Sequence, residues 1–207
     1  MPSLRARLIE TIRDAYPTSF MGLDPSGMLG EEAFDGPEPH PNAVLNLFIQ
    51  QKVTSALPMA YYMAARRGLD SLMDTRLPSS ATLSGRTLGS AIRGLVALRE
   101  MELKETHRIA FTIRSEAGTD GCSSMECRSL REPSDAAVVG EYQQAFDRIA
   151  GSVNDGTRIL QLLSGSELAE DTELKFCRSC EEGMLAAHAD VRMRAWTALP
   201  EVFGLRA

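Results

Sequence analysis

Apolar residues recur along this chain at helical spacing, and no sustained two-residue alternation of the kind a half-buried strand needs competes with them. In "SLRARLIETIRDAY" (3–16), Leu4, Leu8, Ile9 and Ile12 share one face, and Ser3 is placed to accept from early helix N–H groups. Tyr16-Pro17 ends the run, because the residue before a proline avoids helical backbone. An apolar face so near residue 1 either lacks its packing partner or finds it downstream. Residues 18–41, "TSFMGLDPSGMLGEEAFDGPEPHP", are dense in Gly and Pro and read as an irregular connector.

Pro41 then opens a helix with its fixed φ, and Val44, Leu45 and Phe48 form the buried side. A second helix runs from about Leu57 to Arg67, with Pro58 at its start and Gly68 as a left-handed cap. Its "MAYYMAAR" is large and apolar and belongs in the core. The longest helix is expected from Gly85 or Arg86 to about Ile113, striped by Leu88, Ile92, Leu95, Val96 and Leu103. Gly89 and Gly94 each cost such a helix about 1 kcal/mol against alanine, so tertiary packing must support it. A polar loop follows at about 114–133. Helices are expected near 134–150 (Val138, Val139, Tyr142, Phe146, Ile149) and 156–163 ("GTRILQLL"). After the break "GSELAEDTEL", a last helix runs from about Arg178 to Ala198, with Trp196 as a core anchor. The expected fold class is all-α, an irregular multi-helix bundle with a cysteine-containing loop. No fixed period of 20–50 residues marks a solenoid.

Composition narrows the function classes. With 43% hydrophobic and 24% charged residues among 207, the chain can build a real core. The net charge of −6 leaves nucleic-acid contact to a local basic face, yet the densest basic spots are only Arg66-Arg67 and Arg192 with Arg194. No apolar run approaches the length of a membrane span, and "MPSLRARLIETIRDAYP" lacks the apolar core and cleavage site of a signal peptide. The expected location is cytoplasmic or nuclear, where thiols stay reduced. "VALREMELKETHR" reads as a solvated helix face, with Glu100 and Lys104 in the favourable i, i+4 order.

Catalytic signatures are sparse. The sequence holds no G-x-S-x-G, H-E-x-x-H, phosphate-binding G-x-x-x-x-G-K or strand-following G-x-G-x-x-G. His40, His107 and His188 are scattered, so a Cys–His dyad would depend on the fold bringing its members together. The four cysteines are more pointed. Cys122 and Cys127 form a C-x4-C pair, and Cys177 and Cys180 a C-x2-C pair 49 residues further on. Two short-spaced pairs can supply the four soft ligands of a tetrahedral, closed structural zinc site. That gap is far longer than the roughly 15–20 residues of common fingers. Reduced thiols without metal, disulfides and redox chemistry stand beside zinc as readings, the last without the βαβ setting of a thioredoxin-like motif.

Two stretches carry a family resemblance. "LFIQQKVTSALPMAYYMAARRGLDSLMD", followed by a long helix ending "RGLVALREMELKETHRIAF", resembles the region after the BTB/POZ domain in proteins of mushroom-forming fungi. That group ends in a C-x-x-C … W-x-x-LP-x-x-FGL pattern, met here as Cys177, Cys180, Trp196, Leu199, Pro200, Phe203, Gly204 and Leu205. "RARLIETIRDAYPTSF" looks like the last helix of a BTB domain. The resemblance implies three parts: 1–20 as the remnant of that helix, 21–41 as linker, and 42–207 as a BACK-like helical C-terminal domain. The strand-and-helix body of a BTB domain would precede residue 1, which puts BTB-type dimerisation of this chain in doubt. The implied function is a non-catalytic protein–protein interaction or adaptor module, with a cullin-type ligase scaffold or a transcriptional complex as partner. The alternatives are a thiol- or metal-dependent enzyme using one of the cysteines, and a zinc-stabilised regulator that reaches DNA through a partner. The resemblance supplies no catalytic residue.

Overall fold

The computed structural model of the chain describes residues 9–12, 15–22, 39–116, 159–160 and 178–205. Among them every regular element is helical: α1 (Pro41–Gln51), α2 (Leu57–Arg66), α3 (Gly68–Leu72), α4 (Gly85–Glu116) and α5 (Arg178–Val202), with 3-10 turns at Phe20–Gly22 and Thr54–Ala56. The all-α expectation therefore holds. The expected connector 23–38, the loop and helix at 117–150, and most of the expected helix 156–163 lie outside the described residues. Within that last stretch, 159–160 form a turn whose Ile159 and Leu160 are buried.

The bundle is built around α2, which packs against α1, α3, α4 and α5. Its sequence explains this position. A helix apolar on every side cannot face water, and every residue from Met59 to Ala65 is buried. Pro58 sits in the first turn, where its missing N–H costs nothing, and Gly68 takes a φ of 83° just past the end. α1 begins at Pro41 behind His40, whose Nδ1 accepts from the Asn42 N–H at 3.2 Å. It ends in a left-handed Lys52 at φ 58°, with Lys52 N–H donating to the Ile49 carbonyl and Val53 N–H to that of Phe48. This is a Schellman closure with lysine where glycine is usual. Asn46 ties α1 to the 78–84 turn by donating to the carbonyls of Ser80 and Thr82.

The early apolar segment finds its partner downstream. Residues 9–12 are helical, Ile12 and Tyr16 are buried, and the Tyr16 ring meets Phe48 of α1 edge-on at 5.3 Å. The proposed Ser3 cap lies outside the described residues.

α4 starts at Ser84, which caps it by accepting from the Thr87 N–H at 3.3 Å. Its buried face departs from the expected stripe. Ala91, Leu95, Leu98 and Glu102 point inward, whereas Val96 and Leu103 are about half exposed. The inward spacing of 4, 3 and 4 residues is that of a helix seam, and Val96 and Leu103 fall outside it on the helix's flank. α5 runs antiparallel to α4: Phe203 lies against Gly94 at one end, and Arg194 grips Glu105 with two bonds of 2.6 and 2.8 Å at the other.

α5 continues past Ala198 to Val202, with Pro200 inside its last turn. The turn beyond its end accounts for the extension. Gly204, at φ 70°, allows Leu205 N–H to reach the Pro200 carbonyl at 2.7 Å, and Gly204 N–H donates to Glu201 at 2.9 Å. This second Schellman closure turns the chain while Leu199 and Phe203 sink into the core, each burial contributing about 2–3 kcal/mol. The Phe203 ring stacks on Tyr61 at 5.1 Å. Trp196, expected as the anchor, is only partly buried, and Leu199 and Phe203 hold the fully buried places.

Gly89 and Gly94 of α4 thus serve different ends. A Cβ at Gly94 would occupy the space of the Phe203 ring, whereas one at Gly89 would meet nothing. Gly94→Ala is expected to lower stability by about 1–3 kcal/mol through overpacking. Gly89→Ala should raise it by up to about 1 kcal/mol through helix propensity. Urea unfolding midpoints of the two variants against the parent chain check both signs.

Candidate functional site

Inside the bundle, on α2, α4 and α5, a few polar side chains are buried in an otherwise apolar setting. Glu102, His188 and Arg192 are all nearly excluded from water, and the Tyr62 side chain is fully buried. The helix-seam spacing explains how each arrives. Glu102 follows Leu95 and Leu98 at seven and four residues, which turns it inward with them. On α5, His188, Arg192, Ala195 and Leu199 repeat the same spacing.

A buried charge needs partners. The Glu102 carboxylate accepts from Arg99 at 3.2 Å across one helical turn. Arg192 donates through Nε to the Leu160 carbonyl at 2.7 Å, and its guanidinium lies over the Phe20 ring at 5.6 Å. One arginine thereby fastens the 159–160 turn and the Phe20 segment to α5. Among the described residues the Tyr62 hydroxyl has no hydrogen-bond partner. Burial pushes its ionisation well above the usual phenol range, against the pull of Arg66 and Arg192. Its neighbour is the contrast. Tyr61 is raised by burial, with Thr87 and Ser90 beside its hydroxyl opposing the shift.

Burial also lowers His188 from 6.5 to about 4, so the imidazole is neutral at physiological pH. His40 is lowered by burial and then by Arg67, with Asp74 opposing, and its Nδ1 is committed to the cap of α1. The His107 side chain lies outside the described residues. So do Cys122, Cys127 and Cys177, while Cys180 is placed only as backbone in the first turn of α5. The four-cysteine zinc set is therefore neither assembled nor dispersed by the described geometry. Among the described residues no three His, Cys, Asp or Glu side chains form a metal-holding group.

The basic residues noted in the sequence are each engaged within the chain. Arg192 is buried, Arg194 is shared between Glu105 and Asp190, and Arg66 and Arg67 each have a partner. Sequence reasoning passes over Glu102 and Arg192 because a charge ordinarily signals solvent. Their register with the flanking apolar residues is the signal that could find them. "VALREMELKETHR" is accordingly not a solvated face throughout, and its described ion pairs are Arg99–Glu102 within it and Glu105–Arg194 across to α5.

Chemically, this cluster orients and fastens; its groups are enclosed by packed helices. Tyr62→Phe removes a buried hydroxyl that has no partner, so stability should be unchanged or rise by about 1 kcal/mol in urea unfolding. For His188, the folded state holds the ring neutral down to about pH 4, whereas the unfolded chain takes up a proton near 6.5. The unfolded state thus binds more protons between these values. The contribution is complete above 6.5 and is lost as pH falls towards 4, on the order of 3 kcal/mol in all. His188→Gln should flatten that part of the stability–pH curve, read as the difference between variant and parent midpoints from pH 7 to 4.

Comparison with protein-family models, with curated proteins and with solved structures gives no match.

Proposed function

We propose that this chain is a non-catalytic protein–protein interaction or adaptor module, the BACK-like helical part that follows the BTB domain in a fungal-type protein. The observation that carries the reading is the use made of the ending W-x-x-LP-x-x-FGL. Leu199 and Phe203 are fully buried, Gly204 supplies the left-handed turn, and Leu205 closes the cap, so this motif acts as a packing signature and not as reactive chemistry. The enclosure of His188, Glu102 and Tyr62 within packed helices supports it further, since a catalytic group must meet its substrate.

Cys122, Cys127, Cys177 and Cys180 are the proposed ligands of a structural zinc that clips the cysteine-containing loop to the start of α5. The partners are proteins, a cullin-type ligase scaffold or a transcriptional complex, with no direct nucleic-acid contact. The commitment of Arg192 and Arg194 to internal partners supports that last point. Among the described residues no helix is long and apolar enough to cross a membrane. The proposed location is cytoplasmic or nuclear.

Timed alkylation of the reduced protein at pH 7, read cysteine by cysteine by mass spectrometry alongside elemental analysis, tests this reading. One zinc per chain should protect all four thiols together. Chelation should release them at similar rates and lower the melting temperature. A single cysteine alkylated far faster than the rest, with the others indifferent to chelator, would overturn the proposal in favour of a thiol enzyme.

A further inference from the structure

We draw no further inference here: the strongest candidate, the outward-facing line of Val96 and Leu103 on α4, is an unpartnered apolar stripe about half exposed to solvent, and nothing in the structure shows what covers it.

Discussion

The bundle depends on hiding one short helix. α2 is only ten residues long and apolar on every side, so no single neighbour can shelter it. α1 and α3 cover it from the adjoining sequence, α4 covers a third side, and α5 closes the last. Much of the remaining architecture answers this demand. Asn46 holds the 78–84 turn so that α4 can double back, Gly94 thins α4 where Phe203 must reach Tyr61, and the Gly204 closure sets the angle at which Phe203 enters.

Polar groups are carried into this core along with the apolar ones, and their treatment is uneven. Arg192 reaches the Leu160 carbonyl and so joins α5 to the 159–160 turn. Tyr62, one residue from Tyr61, has no hydrogen-bond partner for its hydroxyl among the described residues. A buried hydroxyl of that kind is a cost without a matching bond, tolerated because the ring itself fills volume between α2, α5 and the 159–160 turn.

Helix content and most boundaries were legible from periodicity, proline and glycine. Pro41, Pro58 and Gly68 mark the places where helices begin or end, because each residue constrains φ by itself and needs no tertiary context. The inner face of α4 was legible only in part. Hydrophobicity alone puts Val96 and Leu103 inside, whereas the seam is chosen by the elements that face it: Gly94 is inward because an aromatic ring arrives from the chain's other end, and Glu102 is inward because its register leaves no choice. The end of α5 misleads for the same reason. The expected end at Ala198 precedes Pro200, yet the helix runs on to Val202 and the turn formed by Gly204 and Leu205 seats Phe203 in the core. The polar cluster was not legible, because it joins residues from three helices and a turn that share no local pattern.

The clasp between Arg194 and Glu105 joins residues 89 positions apart, and the Phe203 contact with α4 spans further still. Closing so long a loop costs only slowly more entropy as it lengthens, but it cannot begin until the last helix exists. On a ribosome, α1 to α4 emerge well before α5, and the Tyr61 face of α2 waits for Phe203. Among the described helices α5 is the last to be made, so Tyr61 gains its stacking partner only once Phe203 is synthesised, and until then its ring is surface open to folding assistants in the cell.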